Sequence, residues 1–255
     1  MGYSVIIPAR LASTRLPEKP LREIAGKPMI AHVVEQARQS SAERIIVASE
    51  SAEVLDVARD AGAEVCLTRG DHESGSDRLA EVVDQLDFSS DTIVVNLQGD
   101  EPLMPPSLLE RVAIELESDP HAGVSTLATP IRDFESACDP NHVKVVMNEV
   151  GRALYFSRAM IPHPRDLPEI KMRGPIPETL RYYRHLGLYA YRAETLRRFH
   201  RSRPAPLELI EKLEQLRLMA MGIAIRVSIV AEAPPPGVDT EEDLLRVQSL
   251  LSRAS

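Results

Sequence analysis

Cysteine is scarce in this 255-residue sequence, which holds two. Cys66 and Cys138 lie far apart with no C-x-x-C partner, so neither a disulfide framework nor a zinc knuckle is indicated. They read instead as small buried hydrophobes of a reducing compartment. No apolar run approaches the about 18 residues of a membrane helix. No charged and apolar leader precedes the first strand, so the expectation is a cytoplasmic protein without membrane insertion. Basic residues are outnumbered, and the net charge of -8 argues against a nucleic-acid binder built on a general basic surface. There is no internal repeat and no low-complexity linker. Neither the G-x-x-x-x-G-K-[ST] phosphate loop nor the G-x-G-x-x-G turn occurs.

What is present is an alternation of strands and helices. Ser4 to Pro8 is a buried strand, and GKPMIAHVVEQARQS places Met29, Ile30, Val33, Val34 and Ala37 at helical spacing. RIIVAS, EVCLT and TIVVNL read as further strands. AEVLDVARDAGA, SDRLAEVVDQL (capped by Ser76 or Asp77) and PPSLLERVAIELES read as helices. Nearly all-apolar strands alternating with helices predict an α/β fold with a mainly parallel sheet covered on both faces. The second half is less regular. VKVVMN, ALYFSR and HLGLYAY read as strands around a proline-rich, charged excursion over 163–180. PLELIEKLEQLRLMAMG reads as one helix, AIRVSIV as a strand, and the last helix is capped by Asp239 or Thr240. Residues 1–255 are expected to form a single domain, with a β-rich lobe inserted over about 130–190.

In a parallel sheet, ligands bind beyond the carboxyl ends of the strands. Two polar segments fall there. The opening loop IIPARLASTRLPEKPL combines small residues (Ala9, Ala12, Ser13, Thr14) with Arg10, Arg15 and Lys19, suited to a small anion such as a phosphate, and Pro17 and Pro20 stiffen it. NLQGDEP offers Asp100, with Glu101 and Gln98 beside it, to a hard cation such as Mg2+, which takes one or two protein carboxylates. A third segment, TRGDHESGSDR, is either a plain turn before a capped helix or a reader of a planar ligand. In the second case Gly75 permits close approach while Ser74, Ser76 and Arg78 supply polar groups. Spacing alone reads Asp239 as a helix cap. Arg158, His185, Tyr189, Glu211, Glu214 and Gln215 carry the groups a polyhydroxylated acid needs, although Glu211 and Glu214 also suit a solvated helix edge. His32, His121 and His200 have no ligand-spaced partner and read as structural or exposed.

The blocks IPARLASTRLPEKPL, TRGDHESGSDRLAEVV, VNLQGDEP, PNHVKVV, ALYFSRAMIP, RHLGLYAYR, PLELIEKLEQLR and GVDTEEDL resemble, in order and spacing, the bacterial 3-deoxy-manno-octulosonate (KDO) cytidylyltransferases, or CMP-KDO synthetases. The resemblance implies a Rossmann-like nucleotidyltransferase, homodimeric through the β-rich lobe, that converts CTP and KDO to CMP-KDO and pyrophosphate with Mg2+ for lipopolysaccharide core assembly. It implies that Ala9, Arg10, Lys19 and Gln98 bind CTP, with Arg15 near the reacting groups. It further implies that the turn with Arg69, Ser74, Gly75, Ser76 and Arg78 reads cytosine and ribose. Asp100 and Asp239 would ligate Mg2+, in place of the cap role for Asp239. Gln98, Arg158, His185, Tyr189, Glu214 and Gln215 would hold the sugar acid. The neighbouring readings are a cytidylyltransferase for 8-amino-KDO or a sialic acid, and a catalytically silent nucleotide-binding regulatory protein. Glu18 departs from the family's frequent glycine in its L-P-G-K-P run and is expected to point to solvent. The 163–180 segment matches poorly.

Overall fold

A computed structural model of the chain describes residues 2–12, 16–72, 74–167 and 172–254. Its contacts group into two compact units, one of residues 1–114, 190–201 and 234–255 and one of residues 115–189 and 202–233.

The first unit begins with β1 (Tyr3–Pro8), the short strands β2 (Glu23–Ile24) and β3 (Lys27–Pro28), and α1 (Met29–Arg38). It continues through β4 (Arg44–Ser49), α2 (Ala52–Asp60), β5 (Glu64–Leu67), α3 (Gly75–Gln85), β6 (Ile93–Asn96) and the start of α4 (Pro106–Ser118). The second unit carries β7 (Ala122–Ile131), α5 (Phe134–Cys138), β8 (Lys144–Met147), β9 (Ala153–Ser157) and most of β10 (Tyr182–Arg192). The last residues of β10 and α6 (Ala193–Arg201) belong to the first unit. Then follow α7 (Pro206–Glu211), α8 (Gln215–Ala220) and β11 (Ala224–Ile229) in the second unit, and α9 (Glu241–Ala254) in the first.

In the first unit β1 pairs in parallel with β6 on one side and β4 on the other, and β5 runs parallel to β4. Val5, Ile6 and Ile7 are fully buried, which is why this strand is apolar on both faces. The five apolar positions anticipated on α1 are all buried. Leu16, Ile24 and Met29 close over Val238, Leu244 and Val247, which packs α9 against the opening segment. In the second unit β7 and β11 are parallel, while β8 pairs antiparallel with both β9 and β10. The architecture is thus mixed α/β, with a mainly parallel sheet as anticipated.

Four local expectations need correction. The run PLELIEKLEQLRLMAMG is two helices, because Lys212 adopts a left-handed conformation (φ 55°) that ends α7. Helix α3 starts earlier than expected, with Ser74 as its cap. Thr240 caps α9 rather than Asp239: its Oγ1 accepts the Asp243 N–H at 3.2 Å while the Asp243 carboxylate accepts the Thr240 N–H at 3.0 Å. Finally, Cys66 is buried but Cys138, at the end of α5, is exposed. The described parts of 163–180 form neither helix nor strand.

Candidate active site

The carboxyl ends of β1 and β6 open onto a cavity of about 470 Å³ whose walls include Ala9, Arg10, Lys19, Gly75, Gln98, Asp100 and Asp239. That volume lies within the range of about 300–1,000 Å³ usual for small-molecule sites. Backbone bonds build it. Ala9 N–H donates to the Ala48 carbonyl at 2.9 Å, fixing the start of the opening loop, and Val238 N–H donates to the Asp100 carbonyl at 2.8 Å, bringing in the segment before α9. Both approaches are tight at a glycine. A Cβ on Gly99 would lie 3.0 Å from the Pro8 carbonyl oxygen, and one on Gly237 would lie 3.0 Å from that of Asp100.

Lys19 is the centre of the arrangement. Its Nζ donates to Asp100 Oδ2 at 2.6 Å and to Asp239 Oδ1 at 2.9 Å. Burial works against its charge, but the two carboxylates outweigh that and hold its pKa above the ordinary value. Next to Asp100 in the chain, Glu101 is pushed up to about 8, first by burial and then by the Asp100 charge. Its Oε2 is enclosed with no hydrogen-bond partner among the described residues, an environment that favours the protonated form. Gln98 is oriented by donating to Asn96 Oδ1 at 3.0 Å. Glu18 is exposed, and its φ of 52° puts it in the left-handed region.

The anticipated reader turn behaves differently. Gly75 lines the cavity, where an added Cβ would meet Gln98 and Pro8 at ordinary contact distance. The Ser74 hydroxyl is used in capping, accepting the Asp77 N–H at 3.1 Å and donating to Asp77 Oδ2 at 2.9 Å. Ser76 is buried in α3. Arg69 is largely exposed, with its N–H donating to Glu81 Oε2 at 3.1 Å. Arg78 is fully buried, with its guanidinium 2.8 Å from Glu50 and bonded to Thr68 Oγ1. These four residues are not among those lining the cavity. Arg15, with Ser13 and Thr14, lies outside the described residues.

The remaining candidates stand in the second unit. His185 packs edge-on to Phe156 (5.0 Å between centroids) and against Tyr189 (5.3 Å). Thr126 has one hydroxyl proton, which the Leu188 carbonyl receives at 2.8 Å, so its oxygen accepts from His185 Nε2–H at 3.1 Å. Burial pushes His185 down to about 3, so the ring is neutral, with Nδ1 as an acceptor. Arg158 is held by Glu211, whose carboxylate accepts the Arg158 N–H at 2.9 Å and whose carbonyl accepts Nε–H at 2.7 Å. Lys144, buried, donates to the Asp139 and Arg158 carbonyls at 2.7 and 2.6 Å. Glu214 precedes α8. Gln215 is buried, and its Nε2 has no partner among the described residues. Glu211 therefore anchors Arg158 rather than forming a solvated edge, and Lys144 supports it; their long-range partners left no mark in local sequence. His32 Nε2–H donates to the Ile24 carbonyl at 2.7 Å, and His200 reaches Asp77 at 3.0 Å, both as structural contacts.

A parallel sheet that gathers cations and paired carboxylates at its strand ends is an α/β architecture suited to a phosphorylated ligand. Comparison with known proteins narrows this. A cytidylyltransferase family model matches residues 4–225. The chain is 51% identical to the 3-deoxy-manno-octulosonate cytidylyltransferase of Hahella chejuensis, covering 100% of this chain and 99% of the relative. It is 50% identical to the enzyme of the same name from Nitrosococcus oceani, covering 98% and 97%. A solved structure of a CMP:2-keto-3-deoxy-manno-octonic acid synthetase complexed with CTP superposes with a TM-score of 0.89 at 41% identity, covering 100% of both chains. The chain belongs to the cytidylyltransferase family, in the branch of the 3-deoxy-manno-octulosonate cytidylyltransferases.

Proposed function

We propose that the protein transfers the cytidylyl group of CTP to KDO, forming CMP-KDO and releasing pyrophosphate, as a step toward lipopolysaccharide core. The observation that carries this reading is the identity of 51% to a curated enzyme of that name over 100% of the chain. The anomeric hydroxyl of KDO attacks the α-phosphorus in line, pyrophosphate leaves, and positioning with charge neutralisation supplies most of the acceleration. Arg10 and Lys19 hold the triphosphate, and Ala9, Gly75 and Gln98 shape its surroundings. Arg69, Ser74, Ser76 and Arg78 set the turn beside the base, Arg78 from within the packing rather than by direct contact. Arg15 remains assigned to the reacting groups by resemblance. For the sugar acid, Arg158 faces the carboxylate. Neutral His185, Tyr189, Glu214, Gln98 and Gln215 meet hydroxyls, and the unpartnered Gln215 Nε2 supports a ligand there.

The donor set fits Mg2+. On the cavity wall Lys19 and Arg10 do no more than balance Asp100 and Asp239, so an anionic triphosphate entering here calls for an added cation. When bound, Mg2+ would lower the pKa of the attacking hydroxyl and neutralise phosphate charge. Asp100 and Asp239 would hold it, and Lys19 keeps the two carboxylates together without it. A cytoplasmic location is supported by unpaired Cys66 and Cys138, and no described helix is long and apolar enough to cross a membrane. A homodimer through the β-rich lobe of about 130–190 within one catalytic domain is supported by exposed apolar Leu154 on β9.

The test is pyrophosphate release with CTP and, separately, KDO, 8-amino-KDO and a sialic acid, with and without Mg2+, and again with UTP and ATP. Release confined to CTP, KDO and Mg2+ is expected. Preference for another acid would reassign the substrate, and silence with intact CTP binding would favour a regulatory protein.

A further inference from the structure

We propose that Glu50 is a positioning residue for the nucleotide, joining the opening loop to the helix that carries Gly75; this rests on the cytidylyltransferase reading. Glu50 directly follows β4 and does not line the cavity. Its Oε1 accepts the Leu11 N–H at 2.9 Å, in the loop between Arg10 and Ala12, both of which line the cavity. Its Oε2 lies 2.8 Å from Arg78 Nη2 on α3. One carboxylate thus fixes two of the cavity's walls relative to each other.

Three features make this more than a surface ion pair. Arg78 is fully buried and cannot shed its charge, so it needs a counter-charge in place. Besides Glu50, its guanidinium meets the neutral Thr68 hydroxyl, which accepts from Nη1. The contact with Glu50 is close but poorly aligned, leaving Arg78 Nε and Nη2 and Glu50 Oε2 without a hydrogen-bond partner among the described residues, so attraction between charges carries it. Glu50 is also confined from behind. A Cβ on Gly70 would touch its Cβ and Cγ at 3.7 Å, and Thr68 N–H is tied to the Ser49 carbonyl at 3.0 Å. Burial of Arg78 separates the guanidinium from the ligand, so its influence on the nucleotide runs through the position of α3.

The experiment compares Glu50→Gln and Glu50→Ala with the parent chain, measuring KM for CTP, KM for KDO, kcat, calorimetric CTP affinity and the thermal midpoint, at a temperature well below every midpoint. Glutamine still accepts the Leu11 N–H but loses the charge facing Arg78, whereas alanine loses both. Expected is a rise in KM for CTP of roughly 10-fold or more for alanine, with glutamine intermediate and KM for KDO within about twofold. Unchanged KM and affinity for CTP in folded Glu50→Gln would overturn the proposal. So would equal rises for both substrates that track a fall in midpoint, since that is a stability effect alone. If Glu50→Ala does not fold, Glu50→Gln decides. If the parent chain releases no pyrophosphate, the cytidylyltransferase reading fails, and calorimetric CTP affinity still decides the role of Glu50.

Discussion

Replacing Glu18 by glycine should stabilise the protein. Glu18 has φ 52° and ψ 32° beside Lys19, its side chain is exposed, and its carbonyl accepts the Leu21 N–H at 2.8 Å to close the turn. For a residue with a Cβ, the left-handed conformation costs roughly 1–2 kcal/mol. Glycine removes that cost but returns about 0.5–1 kcal/mol through the greater freedom of the unfolded chain. The net expectation is a gain of about 0.5–1 kcal/mol, which for a chain of this size is a rise in thermal midpoint of about 1–3 °C. Charge is a separate matter, and two controls isolate it. Glu18→Gln removes the charge but keeps the Cβ, so it should leave the midpoint unchanged; Glu18→Asn, better tolerated at positive φ, should recover part of the gain. Thermal unfolding without ligand reads all three variants, and KM for CTP is followed in parallel. A fall in midpoint for Glu18→Gly, or an equal rise for Glu18→Gln, would refute the backbone argument.

Asp100→Asn keeps the shape of the side chain but removes one of the two carboxylates on Lys19, so the protein should fold normally while kcat falls by roughly 100-fold or more; near-normal turnover would remove Asp100 from the mechanism. Gly237→Ala should push the Val238 and Asp239 segment away from the Asp100 carbonyl, 3.0 Å from the new methyl group, and lower turnover with a smaller effect on the midpoint; unchanged turnover would show that the segment can yield. His185 has a folded pKa of about 3, below its ordinary value of 6.5, so its unfolded form binds the extra proton between those values. Its contribution is complete above about pH 6.5 and is lost as pH falls toward 3, with a limiting slope of about 1.4 kcal/mol per pH unit. The acid limb of a stability curve should therefore flatten in His185→Phe, and identical limbs would contradict the burial of the ring. Glu208 pairs bidentately with Arg217 at 2.8 and 2.5 Å and accepts the Ala205 N–H at 2.9 Å. Glu208→Ala should cost about 2–4 kcal/mol in denaturant unfolding, and a loss under 1 kcal/mol would mean the pair is solvent-screened.

What could be read from the sequence divides by distance along the chain. The strands β1, β4, β5 and β6 and the buried face of α1 were legible, because an all-apolar strand or a helical apolar stripe is written in consecutive residues. Strand β7 was not assigned, since in Ala122–Ile131 the strand-favouring Val124, Thr126, Thr129 and Ile131 are interrupted by alanines, a glycine, a serine and a proline near the end, which dilutes the β signal. The break between α7 and α8 falls on a lysine rather than a glycine, so the usual punctuation is missing. The Asp239 question did have a local signal: Thr240 followed three residues later by Asp243 is a capping pair, which releases Asp239 from that duty.

Site chemistry follows the same rule less forgivingly. Lys19 and Asp100 were each recognisable from their own loops, but Lys19 and Asp239 are 220 positions apart, and their union depends on a backbone bond from Val238 to Asp100 and on the missing side chain of Gly237. Gly237 looks like an ordinary turn residue until its neighbour across the fold is known. Glu50 was passed over for a related reason. Its sequence neighbours are serines at the end of a strand, and its importance lies in touching Leu11 of the opening loop and Arg78 of α3. Arg78 shows the converse: a polar residue in a polar turn looked like a reader of ligand, and the fold spends its charge inside the protein instead. Residue type and spacing therefore identify which loops carry the chemistry, while burial decides whether a given charge meets the ligand or holds the residues that do.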